Sequence, residues 1–368
     1  MIDRFLQVPG TWLKCLQFTI LIIFSIQMEH SRKHLIQWIL IIMITLAGSL
    51  SLAGMAQGQQ PESHINQDDR RNQVNQKLVK EIDGLIQKYG LYADSLNWDQ
   101  LHKEINAIVF KESDTTNRRL ILNVFTRNLR KVGDKHSFFI TTATAKSIAK
   151  REKNAPKPTA RYLGSGIALI SVPYCFNSEK SKDIAFANTI RDQIRKVDSR
   201  NNISTWMVDL RNNGGGNMWP MLAGLNALIK DDTAGYFISP ASNNEQPWPS
   251  TNGSLVFPNA KISNYKVRNQ DIKIGVLIDS MTASSGEMTA ISFIGLPNVK
   301  ILGQPSAGYT TANTTYYLSD GTMFNLATAY VADRTRKAYM TRITPDAFLD
   351  NVGNKGLEEA VELMKQLK

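Results

Sequence analysis

From residue 167 to residue 302, short apolar runs and helical stretches take turns, and this alternation limits the possible folds more than any other feature of the chain. Runs of strand length occupy 167–172, 203–210, 273–278 and 299–302, with stretches of helical periodicity at 182–197, 218–229 and 284–293 between them. Strands that alternate with helices predict an α/β core with largely parallel β-structure. Beyond it, 314–331 alternates like a hairpin around Asp320-Gly321, and 355–368 closes as an amphipathic helix. The Pro/Asn/Ser-rich segment 231–258, which contains Trp248, reads either as a mobile loop over a cleft or as a plain surface excursion.

Upstream of the core the period changes. Val79, Ile82 and Ile86, then Leu101, Ile105 and Val109, then Leu120, Val124 and Leu129 recur at helical spacing and predict three helices within 73–132. Asn97-Trp98-Asp99 looks like a capped start for the second. Only about 25 residues, 141–158 among them, join this bundle to the first strand of the core.

Before Gln57 lie two apolar stretches, 16–26 and 35–52. Ser31-Arg32-Lys33-His34, the apolar run after it and the small residues Gly54 and Ala56 predict a signal cleaved after Ala56, with Met28 a sensible start. A retained membrane anchor is the alternative, so 1–56 reads as signal peptide or anchor and the rest as exported. No cysteine near Ala56 indicates a lipoprotein anchor. Beyond the leader Cys175 is the only cysteine, which excludes an intrachain disulfide and fits a small core residue. Export without disulfides suits a bacterial periplasm or an extracellular surface. The formal charge of +11 falls to +9 without the leader, and its basic residues are scattered, so no nucleic-acid partner is expected.

Chemistry concentrates in three places. Thr282-Ala283-Ser284-Ser285-Gly286-Glu287 follows the apolar run 274–278, so a hydroxyl sits at a strand-to-helix turn where the helix start offers free N–H groups. The same residues also make an ordinary N-cap. Gly214-Gly215-Gly216 follows a buried strand and precedes a helix, leaving backbone N–H groups bare; a phosphate loop is the competing reading, but the Gly-Lys-Ser/Thr ending is missing. Of five histidines, His30 and His34 lie in the leader, His64 in the polar segment after it and His102 on the outer side of a helix. His136 remains, between a helix end and Phe138-Phe139-Ile140, as a general-base candidate or a buried structural residue.

Taken in order, Gly133-Asp134-Lys135-His136-Ser137, Asp209-Leu210-Arg211-Asn212-Asn213-Gly214-Gly215-Gly216 and Thr282 to Glu287 resemble the C-terminal processing peptidase and tricorn-core family of serine peptidases. Gly303-Gln304-Pro305-Ser306-Ala307-Gly308 echoes a fourth family segment, and the resemblance covers about residues 75 to 368. It implies a ClpP/crotonase-like core of repeated ββα units behind a small N-terminal helical bundle. The expected division is a polar linker at 57–74, the helical subdomain at 75–135 and the peptidase domain at 136–368, with no room for a PDZ insertion. The implied activity is hydrolysis of peptide bonds, as an endopeptidase or C-terminal processing enzyme acting on peptides or unfolded protein, without metal or cofactor.

The resemblance also implies roles for single residues. Ser284 is the nucleophile, with Ser285 its rival and more suited to offering a backbone N–H to the oxyanion; Gly215, with Gly216 as neighbour, offers the second. His136 is the base and Ser137 a helper hydroxyl. Asp209 and Arg211 brace the glycine loop, and Glu287 complements the helix start. Two departures stand out. No lysine follows Gly308 until Lys337, which argues against a Ser-Lys mechanism, and 337–344 lacks the glutamate that completes the tricorn-like set. That missing acid keeps open a second reading, a catalytically weak protein that binds peptides or other ligands on the same fold. Acyl-CoA chemistry on this scaffold conflicts with export.

Overall fold

In the first strands of the core, neighbouring side chains serve opposite faces. Ala168 and Ile170, Trp206 and Val208, and Ile274, Val276 and Ile278 enter one apolar cluster, whereas Ile167 and Leu169, Met207, and Leu277 enter another. Both faces being covered is the condition under which strands lie parallel. A computed structural model describes residues 67–152, 155–176, 179–230, 232–250, 265–350 and 353–367. The leader 1–56 lies outside them, and no helix among the described residues is long and apolar enough to cross a membrane.

The core sheet has the order β12-β8-β7-β4-β3-β2. Its members are β2 (Thr159–Gly164), β3 (Ile167–Ser171), β4 (Thr205–Asp209), β7 (Lys273–Ile278), β8 (Val299–Gly303) and β12 (Ala347–Phe348). All neighbours run parallel except β2, which pairs antiparallel with β3. Helices α5 (Lys180–Asp198), α6 (Met218–Ile229) and α7 (Ser285–Ile291) supply the larger cluster, and α8 (Asn354–Gln366) covers the other face through Leu357, Ala360 and Met364.

A second, antiparallel sheet is built around the long strand β10 (Met323–Asp333). β1 (Phe138–Ile140), β5 (Asp232–Ser239), β9 (Thr311–Tyr317) and β11 (Ala338–Tyr339) all pair with it, and β6 (Asn244–Ser250) pairs with β5. The mixed α/β architecture with two sheets agrees with the expected fold class.

The N-terminal helices are α1 (Gln67–Tyr89), α2 (Trp98–Asn106) and α3 (Asp114–Lys131). Asn97 caps α2 by accepting from Gln100 N, and Ser113 caps α3 by accepting from Thr116 N. Their apolar faces share one cluster with Leu318, Phe324 and Leu326 of the β9–β10 hairpin. Ion pairing of Arg118 with Asp320 fixes the hairpin turn to α3. At its C-terminal end α3 turns through Gly133 at φ 93°, and Asp134 N donates back to Leu129 O, which sends the chain into β1 past His136.

Three local expectations change. α1 starts at Gln67, inside the stretch 57–74 expected as linker. Residues Thr142–Glu152 form a helix, α4, in the segment read only as a connection, where Ala and Lys favour that state. The Pro-rich stretch 232–250 is a β5–β6 hairpin rather than a loop. Trp248, fully buried against Phe237, anchors it, and Pro247 and Pro249 are tolerated because β6 lies at the sheet edge.

Candidate active site

The C-terminal ends of β4 and β7 deliver two loops to one place, where parallel α/β sheets commonly carry their sites. After β7, the turn 279–284 is wired to its surroundings. The Asp279 carboxylate accepts from Asn212 N, Met281 N and the Thr282 hydroxyl, and Ala283 N donates to Asn213 O at 2.9 Å. This holds Ser284 at φ 52°, ψ −121°, a conformation that a residue with a Cβ adopts only when its surroundings impose it.

The Ser284 hydroxyl lies 3.0 Å from His136 Nε2, across 148 residues of sequence. On the far side of the ring, Nδ1 is 2.7 Å from the Thr311 carbonyl and 3.1 Å from the Thr311 hydroxyl. A carbonyl oxygen only accepts, so Nδ1 carries the ring proton and the Nε2 lone pair faces Ser284. Asp134 accepts from His136 N, and Asn313 donates to His136 O, so the backbone is held as well as the ring. Burial pushes the His136 pKa down to about 4; the Thr311 carbonyl partly offsets this, and the charge of Arg130 adds to it. The imidazole is therefore neutral at pH 7. Tyr309 packs edge-on against it with ring centres 5.5 Å apart.

Ser285 and Ser137, both hydroxyl candidates, are engaged elsewhere. Ser285 Oγ donates to Gly216 O at 2.6 Å, which leaves Ser284 as the hydroxyl facing the histidine. Ser137 Oγ donates to Asp134 at 2.5 Å and accepts from Ala327 N at 2.9 Å, tying the histidine segment to β10. These bonds give Ser137 a bracing position in place of the expected helper contact with the imidazole.

The glycine loop also departs from expectation in one donor. Gly215 N donates to Asn213 Oδ1 at 3.0 Å, so the amide expected to serve an oxyanion is already committed. Among the described residues the N–H groups of Gly216 and Ser285 donate to nothing. Gly215 is still required, because a Cβ there would stand 2.8 Å from Ser284 Cβ with φ at 101°. Asp209 and Arg211 form a two-pronged ion pair, and Arg211 reaches Gly353 O just before α8, as suits bracing residues.

Glu287 does more than complement a helix start. Its fully buried carboxylate accepts from Ser284 N at 2.9 Å, Ser306 Oγ at 2.5 Å, Gly308 N at 2.8 Å and Tyr309 N at 2.8 Å. One side chain thus clamps the serine turn to the segment 303–310 that leads into Thr311. Burial raises its pKa, and these four donors pull the other way.

Thr311 and Asn213 were not read from the sequence as site residues. Thr311 acts mainly through its carbonyl, which every residue type possesses, so no side-chain signal marks it. Asn213 was readable as the asparagine of Asp-Leu-Arg-x-Asn, directly before the glycines it organises.

Comparison with known proteins identifies the family and the fold. The model of Peptidase family S41 matches residues 167–348, which include Ser284 and the glycine loop. A nisin-resistance protein of Lactococcus lactis subsp. lactis is 34% identical over 289 residues, covering 77% of this chain and 86% of that protein. A lipoprotein from Streptococcus agalactiae superposes with a TM-score of 0.64 at 27% identity, covering 79% of this chain and 96% of that one. The photosystem II D1 C-terminal processing protease, 13% identical, shares the fold with a TM-score of 0.52 over 79% of this chain and 97% of its own. Identity of this extent, together with the family match across the core, places the chain in peptidase family S41, the serine peptidases that include C-terminal processing enzymes.

Proposed function

We propose that the chain is an exported serine peptidase working through a Ser284–His136 dyad. One observation carries the reading: the hydroxyl of Ser284 lies 3.0 Å from the unprotonated nitrogen of a buried, neutral imidazole. In the first step His136 Nε2 takes the hydroxyl proton as Ser284 Oγ bonds to the scissile carbonyl carbon. The carbonyl oxygen gains negative charge between the N–H groups of Ser285 and Gly216. As the C–N bond breaks, the imidazolium returns its proton to the leaving amine, and water then releases the acyl group from Ser284 by the same route. The Thr311 carbonyl keeps the ring in the tautomer this sequence needs, and Glu287, Asp134 and Asn213 position the parts.

Export rests on the apolar leader 1–56, and a bacterial periplasm or cell exterior is the compartment that suits it. The helical subdomain, expected at 75–135 and extended back to Gln67 by α1, serves beside a peptidase domain at 136–368. The substrate is a peptide or unfolded protein. Because the 34% identical relative carries the name of nisin resistance, nisin is the first peptide to offer. Incubating purified protein with nisin and with denatured casein, followed by mass spectrometry, tests the proposal. Cleavage by the wild type and none by Ser284→Ala supports it; equal turnover by both overturns it.

A second reading, a ligand-binding protein with little turnover, draws on a single observation, that a neutral carbonyl and not a carboxylate faces His136 Nδ1. Tight binding of a peptide that neither protein cleaves would favour it.

A further inference from the structure

Directly beside the glycine loop, Tyr174-Cys175-Phe176 runs out from β3 towards α5. Cys175 N donates to Gly215 O at 3.0 Å and Asn217 N to Cys175 O at 2.7 Å, so this stretch is laid parallel along Gly216 like a short extra strand. Asn213 Nδ2 holds its start through Val172 O. In an extended segment alternate side chains share a face. Cys175 points inward, 1% exposed, and Tyr174 and Phe176 take the other face with ring centres 5.3 Å apart. Phe176 stays 43% exposed, although it is a large apolar ring on an otherwise pinned segment.

Its place relative to the reaction follows from proton transfer. Resting on the Ser284–His136 proposal, the leaving amine receives its proton from His136 Nε2, so that half of the substrate lies on the histidine side of Ser284, where Tyr309 also packs. The acyl half lies across the nucleophile, with its carbonyl oxygen towards Ser285 and Gly216. A Cβ on Gly216 would stand 3.1 Å from Phe176 Cδ1, which makes this ring a direct neighbour of an oxyanion donor. The side chain next to the scissile carbonyl projects from the carbon bonded to that carbonyl, one bond away from the group that these amides would hold.

We infer that Phe176, backed by Tyr174, forms the wall of an apolar subsite for the residue that contributes the scissile carbonyl, and that the enzyme prefers a large apolar or aromatic side chain there. Filling such a wall strengthens binding through buried area and ring-on-ring contact. The Gly216 backbone fixes the distance between this wall and the oxyanion, so the ring selects on the acyl side and does no proton transfer.

The test compares two peptidyl diphenyl phosphonates, one with a benzyl and one with a methyl group at the acyl-side position. Each forms a bond from Ser284 Oγ to phosphorus and expels phenoxide, which leaves as phenol with the serine proton relayed by His136. The readout is the ratio of the two labelling rates within one protein, so a general loss of reactivity cancels. The wild type should favour the benzyl probe, and Phe176→Ala should lower the ratio about tenfold. Phe176→Leu, which keeps apolar bulk against the Gly216 backbone, should lower it less, and thermal melting verifies that each variant is folded. An unchanged ratio in a folded Phe176→Ala overturns the subsite and leaves the dyad standing. A wild type labelled by neither phosphonate nor a small alkyl fluorophosphonate overturns the dyad and the subsite together.

Discussion

His136 Nδ1 lies 2.7 Å from the backbone carbonyl of Thr311, which orients the base where the Ser137 hydroxyl was expected to help. A carbonyl fixes the tautomer as well as a carboxylate does but adds no negative charge to stabilise the imidazolium. The orienting group is backbone, so side-chain changes at Thr311 should matter little. Thr311→Val removes only the hydroxyl at 3.1 Å and should cost less than about tenfold in kcat/KM, in line with one ordinary hydrogen bond. A loss of several hundredfold in steady-state assays would assign the orientation to the hydroxyl.

Acid pH should switch the enzyme off late. The base must be neutral, and burial pushes the His136 pKa down to about 4 from its ordinary 6.5. The acid limb of kcat/KM should accordingly have its midpoint near pH 4 in the free enzyme, where an unperturbed histidine would place it near 6.5. Stability follows the same sign. The unfolded chain takes up a proton on this histidine below pH 6.5 while the folded chain resists until about pH 4, so the His136 contribution falls as pH drops through that window. The difference in melting temperature between wild type and His136→Gln, followed from pH 8 to pH 4, cancels the other titrating groups and should shrink as pH falls through that window.

Glu287→Gln is nearly isosteric but has one acceptor oxygen for four donors. Its amide N–H groups would confront two of the donors from Ser284 N, Ser306 Oγ, Gly308 N and Tyr309 N. Each orphaned donor costs roughly 1–3 kcal/mol, so denaturant unfolding should show a loss of about 3 kcal/mol. kcat should fall too, because the clamp holds both the serine turn and the approach to Thr311. Unchanged stability and turnover would show that the clamp is dispensable.

Gly215→Ala isolates geometry from chemistry. The new Cβ would press on Ser284 Cβ at 2.8 Å and on Ala283 O at 2.9 Å, displacing the hydroxyl from His136. Displacement of a nucleophile by about 1 Å costs on the order of 100-fold, and kcat should fall by at least that much. Peptide hydrolysis near the wild-type rate would mean that the turn yields without consequence.

Much of the fold was legible because its signals are local. Strand runs such as 273–278 and caps such as Asn97 are written in consecutive residues. The β5–β6 hairpin was not, because its cause is tertiary: Trp248 is buried against Phe237, and β5 pairs with β10 almost a hundred residues later. At the site, Ser284 and His136 were readable as side chains that chemistry demands. The choice between Ser284 and Ser285 became clear only where Ser285 Oγ meets Gly216 O. Bare glycine amides look alike in sequence, so nothing there separates Gly215 from Gly216 as a donor; the acceptor that occupies Gly215 N, Asn213 Oδ1, is two residues away but meets it only when the loop closes. No acid stands in 337–344, and the group that orients the His136 ring is a backbone carbonyl, which leaves no mark in the residue types.

The most direct test of the dyad is covalent labelling by a small alkyl fluorophosphonate, with the adduct mapped by mass spectrometry in wild type, His136→Ala and Ser284→Ala. A single adduct on Ser284 is expected in the wild type, with formation slowed by about 10³-fold or more in folded His136→Ala and none in Ser284→Ala. An adduct on Ser285, or labelling of Ser284 at the same rate without His136, would contradict the dyad.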